Sequence, residues 1–327
     1  MACKFICVSG YGKSGSGACV NLLKEFEYID GLDREFRIVK DPYGLIDLEH
    51  SLVNNWDFVR HNTAINDFLN YCRMLARDDG LFKEEGKNFS KLLNIDFVKE
   101  TERYIDSLVD FKYHGETLLH NYNLKAKDLF YKKIRSKLKM GNELPMYFAR
   151  PSESEFLLQT TSYIDNLFSN YSANNNIKMV VLNQAISPGN ISNAIKYFNS
   201  MKLIIIDRDP RDIYATMLKE RRLLGGELSH SNVLDKYLIW HNAVRVRSEI
   251  DIANSNLEKN ILRIQFEDFF TDYNKVLEKI KNFIGIDFIH KNKGSRFSPE
   301  KINEYVGIWR DLQDQSAISR ISEELIK

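Results

Sequence analysis

An apolar run and a glycine-rich segment open the chain. The run Phe5-Ile6-Cys7-Val8 is rich in β-forming residues and ends at Gly10, which predicts a buried strand bounded by a turn. The glycine-rich segment Gly10–Gly17 follows, and apolar residues then recur at helical spacing over Ala18–Tyr28. This part of the chain predicts a strand, a glycine-rich loop and a helix.

Four further segments predict strands, and helical patterns separate most of them. The segments are Glu35–Val39, Met179–Leu182, Leu203–Ile206 and Ile261–Ile264. Met179–Leu182 and Leu203–Ile206 are continuous apolar runs, which are typical of parallel sheets covered on both faces. Strands that alternate with helices predict an α/β fold with a parallel sheet and helices on both faces.

A long helical pattern interrupts this order between Leu45 and about Tyr171, and it is clearest over Asp57–Leu75 and Asp96–Tyr113. We therefore predict a single catalytic domain with a core of residues 1–44 and 177–290, a helical insert of residues 45–172, and a C-terminal cap of residues 291–327.

Composition narrows the class of protein. The 327 residues carry 46 Lys and Arg against 45 Asp and Glu, so a net charge of +1 gives no basic field for general nucleic-acid binding. No apolar run approaches the ~20 residues that cross a bilayer. The start of the chain is a poor match to a secretory signal, so we expect a cytoplasmic protein. Neither the seven histidines nor the four cysteines show metal-ligand spacing, so we expect no metal site.

The glycine-rich loop has the composition of a phosphate-binding site. Backbone N–H groups and a helix N-terminus can converge on an anion there, and Lys13 adds a full positive charge. The spacing is not that of the nucleotide-binding G-x-x-x-x-G-K-[ST] loop, because the lysine position falls on Ser16 or Ala18. A flexible turn between strand and helix remains an alternative.

A second anion site is indicated where the strand Leu203–Ile206 ends. Asp209 is a candidate helix cap with Pro210 at the first helical position, so Arg208 lies at the carboxyl end of the strand. Thr216 follows about two turns later on the same side of the helix. Arg208 and Thr216 could hold one anion, although a capped helix with solvated arginines would give the same pattern.

Together these segments resemble the sulfotransferases that use 3′-phosphoadenosine 5′-phosphosulfate (PAPS). Tyr11–Gly17 resembles the family's 5′-phosphosulfate loop, usually Tyr-Pro-Lys-Ser-Gly-Thr-Thr, and Ile206–Thr216 resembles its 3′-phosphate motif. Leu262–Phe269 and Gly307–Arg310 are similar to its last core strand and to its closing Gly-x-Trp-Lys. The resemblance covers the first forty residues and Met179 to the end, and it does not extend to the insert.

The resemblance implies a P-loop-like sulfotransferase fold, PAPS as sulfuryl donor and no metal. It implies contacts to the 5′-phosphosulfate from Lys13, Ser14, Gly15, Ser16 and Gly17. It implies contacts to the 3′-phosphate from Arg208 and Thr216, with Lys301 or Arg296 as a third ligand. Lys13 would also neutralise charge on the departing oxygen.

The general base is the main departure from the cytosolic members. These carry a catalytic His after the strand that precedes the 3′-phosphate motif, but Leu182–Ala185 contains no base. Carbohydrate sulfotransferases use a Glu just after the first helix, and Glu35 resembles that placement. His50 and Asp41 are the alternatives. The resemblance is thus closer to carbohydrate and bacterial members, and it implies a carbohydrate or glycolipid acceptor, with a small alcohol or phenol still open.

Two other classes of protein remain open. A small-molecule kinase would use Asp207 as a magnesium ligand, and a nucleotide-binding protein without catalysis would need no base.

One segment of the insert is strongly basic. Ala126, Phe130, Ile134 and Leu138 recur every four residues and predict an apolar stripe on a helix over Leu124–Lys139. Seven basic residues oppose the single Asp128: Lys125, Lys127, Lys132, Lys133, Arg135, Lys137 and Lys139. The pattern fits a solvated helix face, or contact with an anionic acceptor or a membrane-surface headgroup.

Overall fold

The computed structural model describes residues 4–78, 80–81, 86–115, 124–138, 144–222, 224, 233–285 and 289–326. The chain divides into two compact units. The first unit joins Met1–Val39 with Ser172–Lys327, and the second unit is Lys40–Tyr171.

The strands and helices of both units are numbered along the chain. The strands are β1 Phe5–Gly10, β2 Ile29–Glu35, β3 Phe111–Gly115, β4 Leu144–Phe148, β5 Met179–Asn183, β6 Met201–Asp207 and β7 Ile261–Gln265. The helices are α1 Ser16–Leu23, α2 Leu45–Glu49, α3 Arg60–Ala76, α4 Phe89–Leu93, α5 Phe97–Leu108, α6 Ala126–Lys137, α7 Glu153–Asn174, α8 Ile191–Ile195, α9 Pro210–Glu220, α10 Val233–Ala253, α11 Asp268–Thr271, α12 Tyr273–Ile284, α13 Pro299–Asn303 and α14 Gln315–Leu325. A π-helical turn spans His50–Asn54, and 3₁₀ turns span Glu258–Asn260 and Ile308–Asp311.

A five-stranded parallel sheet forms the centre of the first unit, in the order β2-β5-β1-β6-β7. One face packs on α1 and α12 through a cluster that includes Val8, Ile204 and Ile206. The alternate residues Leu203 and Ile205 are fully buried as well, so the other face is also covered. The predicted α/β fold with a parallel sheet is confirmed.

The connections of this sheet locate a binding crevice. After β1 the chain crosses to β2 on one side, and after β6 it crosses to β7 on the other. The switch point therefore lies between the carboxyl ends of β1 and β6, where open parallel sheets bind their ligands. The predicted loop with Lys13 and the predicted anion ligand Arg208 follow these two strands.

The second strand differs from its prediction. It spans Ile29–Glu35, whereas the apolar segment Phe36–Val39 is buried without forming a strand. A Cβ at Gly31 would lie 2.0 Å from the carbonyl oxygen of Val181, so β2 approaches β5 too closely for any other residue. The prediction of Glu35–Val39 was wrong because an edge strand with glycine and three acidic residues lacks the apolar signal.

The second unit is mostly helical, as its pattern predicts. Its core includes Phe68 of α3 against Tyr104 of α5, and the Tyr104 ring stacks on Tyr163 of α7 at 4.5 Å. The prediction of helix as far as Tyr113 was wrong at its end, because β3 pairs there with β4 as an antiparallel hairpin.

Two further observations concern the described residues. No helix among them combines the length and the apolar character that a membrane span requires. Cys7, Cys19 and Cys72 are buried and free of disulfides, whereas Cys3 lies outside the described residues.

Candidate functional site

The loop between β1 and α1 is built to expose backbone N–H groups. Gly12, Lys13 and Gly15 all have positive φ angles, of 81°, 54° and 89°, which turn the chain sharply into the helix. Helix α1 has no side-chain cap and no acidic residue in its first turn. Its first N–H groups and the positive end of its dipole are therefore available to an anion.

Phe266 connects this loop to the second predicted motif. A Cβ at Gly15 would lie 2.3 Å from the Phe266 ring, so only glycine fits at this position. The guanidinium of Arg208 lies over the same ring, 4.9 Å from its centre. One aromatic ring thus supports both the loop and the arginine.

Arg208 is a buried cation, and two of its three guanidinium nitrogens donate hydrogen bonds to the described residues. Its Nη1 donates to the carbonyl oxygen of Lys13 at 2.9 Å, and its Nη2 donates to that of Tyr305 at 2.6 Å. Its Nε is buried and has no hydrogen-bond partner among the residues that the structure describes. Burial lowers the pKa of Arg208 and the carboxylates of Asp212 and Glu267 act against this, but a guanidinium stays protonated. A buried cation with a free N–H fits an anionic ligand.

Lys13 forms an ion pair with Glu220, the last residue of α9. The Lys13 side chain is 22% exposed, so its ammonium group is accessible from the crevice. An anion bound at the loop would compete with Glu220 for Lys13.

The start of α9 forms as predicted, with the Asp209 carboxylate accepting from the N–H of Arg211 at 2.8 Å and Pro210 in the first turn. Thr216 lies buried on this helix, and its hydroxyl donates to the carbonyl oxygen of Asp212 at 2.7 Å. That hydroxyl cannot donate to a phosphate at the same time, so the predicted role of Thr216 requires its O–H bond to turn away from the Asp212 carbonyl.

The Gly307–Arg310 segment docks on α9 through Asp212. This buried carboxylate accepts from the N–H groups of Gly307 at 2.7 Å and Trp309 at 3.1 Å. Burial raises the pKa of Asp212, and the two N–H groups act in the opposite direction. The Trp309 ring lies 4.2 Å from the guanidinium of Arg211.

The remaining predicted 5′-phosphosulfate ligands differ in accessibility. Ser14 is buried, and a Cβ on Gly10 would lie 1.9 Å from its Oγ, so the Ser14 side chain packs against Gly10. Ser16 accepts a hydrogen bond from the Gln184 amide at 2.9 Å. Gly17 is exposed, with open space where a Cβ would lie.

The contacts described for the predicted third 3′-phosphate ligands, Lys301 and Arg296, are with residues other than Arg208. Lys301 lies exposed on α13, and its described hydrogen bond joins its own N–H to Ser298. The Arg296 guanidinium lies 3.9 Å from Asp33, and its N–H donates to Glu25. Lys301 and Arg296 stay predictions.

Glu35 lies at the carboxyl end of its strand, on the side of the sheet from which the glycine-rich loop follows β1. It ends β2 in register with Asn183 of β5, whose amide oxygen is 3.5 Å from the Ser16 hydroxyl. The Glu35 carboxylate is 3.2 Å from Arg37 and is 46% exposed. It is thus accessible, two strands away from β1.

The alternative bases, His50 and Asp41, both belong to the second unit. His50 begins the π-helical turn and lines a cavity of about 490 Å³ together with Asp67, whose pKa is raised by burial. Asp41 accepts a hydrogen bond from the Tyr71 hydroxyl at 3.0 Å.

Comparisons with known proteins give structural matches only. No family model matches the chain, and no curated protein sequence matches it significantly. The chain is similar to a solved sulfotransferase domain from the curacin biosynthetic pathway, with 13% identity, 99% of this chain and 98% of that chain covered, and a TM-score of 0.46. A sulfotransferase of Mycobacterium tuberculosis H37Rv is 11% identical, with 94% and 77% covered and a TM-score of 0.40. A retinol dehydratase, solved with androsterone and the inactive cofactor PAP, is 14% identical, with 98% and 78% covered and a TM-score of 0.35.

A partly buried polar network lies at the base of the loop, and the sequence patterns did not predict it. The Tyr11 hydroxyl donates to Ser248 and accepts from Arg263, both at 2.9 Å. Asp207 lies 3.5 Å from Arg263 and 3.6 Å from Arg245. These residues come from β6, β7 and α10, which are far apart in sequence, so no local motif marks them.

Replacing Tyr11 with Phe is expected to destabilise the protein by about 1–3 kcal/mol, because it removes two hydrogen bonds of the Tyr11 hydroxyl, one to the buried Ser248 and one from the partly exposed Arg263. The free energy of unfolding in urea measures this loss. Ser248→Ala is the control, since it removes one hydrogen bond of Tyr11 and keeps that of Arg263. Equal stability of Tyr11→Phe and the unmodified protein would show that the network does not hold the loop.

Proposed function

We propose that the protein is a PAPS-dependent sulfotransferase that transfers a sulfuryl group to an acceptor hydroxyl. The observation that carries the proposal is the buried Arg208, with its unused Nε–H, beside the N–H-lined loop of Lys13. The two motifs meet at the sheet's switch point and offer one site for two separate anionic groups. PAPS, when bound, supplies the activated sulfuryl group and carries both a 3′-phosphate and a 5′-phosphosulfate.

The chain's residues divide between these two groups. The loop backbone of Ser14 and Gly15, the first N–H groups of α1 and the Lys13 ammonium would hold the 5′ side. Arg208 would hold the 3′-phosphate, with Thr216 joining after its hydroxyl turns from Asp212. Lys13 would also stabilise the negative charge that develops on the leaving oxygen.

Glu35 is the proposed general base. Its register with Asn183 places it at the same edge as Ser16, and its exposed carboxylate can accept a proton from an acceptor hydroxyl. The proposal of a carbohydrate or glycolipid acceptor rests on this residue, because its position after the first helix is similar to that of the carbohydrate sulfotransferases.

The kinase alternative is disfavoured by the environment of Asp207. A magnesium ligand needs a carboxylate free to face the nucleotide, but Asp207 lies between Arg245 at 3.6 Å and Arg263 at 3.5 Å. Two arginines at this position compete directly with a cation.

Thermal unfolding with added nucleotides tests the proposed function. PAP with EDTA should raise the Tm. A hundredfold excess of PAP over its Kd adds about 2.7 kcal/mol to the free energy of unfolding. A shift with ATP and Mg²⁺ alone would support the kinase. A shift with PAP but no transfer from labelled PAPS to any of a panel of sugar, glycolipid and phenol acceptors would support a nucleotide-binding protein without catalysis.

Arg208→Ala is expected to weaken PAP binding about 10- to 150-fold, the equivalent of about 1.5–3 kcal/mol for a charge-assisted contact. Adenosine 5′-phosphosulfate, which lacks the 3′-phosphate, should lose much less affinity. Calorimetric titration of both ligands measures the difference, and Arg211→Ala is the control because Arg211 pairs with Asp209 outside this contact. Equal losses for the two ligands would remove Arg208 from its proposed role.

A further inference from the structure

Helix α6 lies in the connection between the two strands of a hairpin, β3 and β4. Strands β3 and β4 pair antiparallel, and their last pair is Gly115 with Leu144. The chain between these residues therefore leaves and returns at the same end of the hairpin, and α6 is part of that excursion.

The apolar stripe of α6 faces outward. Phe130 and Leu138 are 62% and 65% exposed, and no residue of the helix is buried. The least exposed positions are the polar Asp128 and Lys132. At 100° per residue, these two lie about 160° around the helix from the stripe. A surface helix ordinarily turns its apolar side to the core, so the orientation of α6 is the reverse of the usual one.

Basic residues surround this outward stripe. Residues 125–138 carry six Lys or Arg against the single Asp128. Lys127 and Lys137 lie at the two ends of the stripe, where long side chains can extend past apolar neighbours toward charged groups. An apolar strip within a positive surface needs a partner that is negative at its surface and apolar beneath it.

We propose that α6 is a docking surface for an anionic lipid bilayer. Phe130, Ile134 and Leu138, with Tyr131 beside them, would enter the headgroup region while the lysines bind lipid phosphates. Each basic side chain near such a surface adds to the attraction toward anionic lipids. A nucleic acid or an acidic protein surface would satisfy the charge and leave the outward apolar side chains in water. The inference is independent of the proposed sulfuryl transfer.

Flotation of the full chain with vesicles tests the proposal. Vesicles of phosphatidylcholine with one third phosphatidylglycerol should bind the protein, and vesicles of phosphatidylcholine alone should not. The Phe130→Ser/Leu138→Ser variant should lose at least tenfold in partition coefficient, and so should Lys133→Glu/Lys137→Glu. Leu158→Ser is the matched control, because Leu158 on α7 is 65% exposed, like Leu138. Thermal unfolding checks that each variant is folded.

Three results would overturn the proposal. The first is absence of binding to the anionic vesicles at low salt. The second is binding that the serine variant retains in full, which would reduce the contact to charge alone. The third is a lipid-free dimer, seen by sedimentation, that the serine variant abolishes, since the stripe would then be covered by a second copy of the chain.

Discussion

Replacing Lys13 with Ala is expected to lower kcat for sulfuryl transfer by about 10²- to 10³-fold, the cost of removing one preorganised donor from a developing charge. The affinity for PAP should fall far less, because the α1 N-terminus and Arg208 remain. Steady-state kinetics with labelled PAPS, beside titration with PAP, separates the two effects.

Two variants of α9 control this result. Lys219→Ala removes a neighbouring exposed lysine and should leave kcat within about twofold of the original, as surface substitutions usually do. Glu220→Gln removes the carboxylate that pairs with Lys13 and should tighten PAP binding. A Lys13→Ala enzyme with kcat within threefold of the original would exclude Lys13 from transition-state stabilisation.

Glu35→Gln is expected to lower kcat by about two orders of magnitude or more, since it keeps the shape of the side chain and removes the proton acceptor. Affinity for PAP should be unchanged, because Glu35 lies two strands from β1 and pairs with Arg37. The measurement is kcat at saturating PAPS with a transferable acceptor.

Glu27→Gln is the matched control for Glu35, since Glu27 also belongs to the first unit and pairs with a basic residue, Lys291. Turnover of Glu35→Gln close to that of the unmodified enzyme would contradict the assignment. His50→Gln and Asp41→Asn would then be the next variants to compare.

Four of the five strands in the main sheet could be predicted because each contains apolar residues close together in the sequence. The apolar runs of β1, β5 and β6 each contain consecutive buried residues, and β7 is marked by Ile261, Leu262 and Ile264, of which Ile264 is buried. Strand β2 lies at the sheet edge and contains Asp30, Gly31 and Asp33, so nothing in its composition distinguishes it from a loop. The β3–β4 pair was missed because its two strands are far apart in the sequence.

The site was predictable to a similar degree. Lys13 and Arg208 follow apolar strands, so their place at the sheet edge could be expected from the sequence. The Tyr305 carbonyl, the Phe266 ring and the Glu220 carboxylate could not, because each reaches the site only through the tertiary fold. The spacing of Arg208 and Thr216 could not predict that the Thr216 hydroxyl donates to the Asp212 carbonyl oxygen.

Arg208 donates hydrogen bonds both to Lys13 in the glycine-rich loop and to Tyr305, so it joins two segments that are far apart in the sequence. Cleavage before residue 305 would remove an acceptor from a buried cation and both N–H donors from the buried Asp212. Each such loss costs about 1–3 kcal/mol. Loss of the segment from Tyr305 onward is therefore expected to destabilise the first unit, in which Arg208 and Asp212 lie.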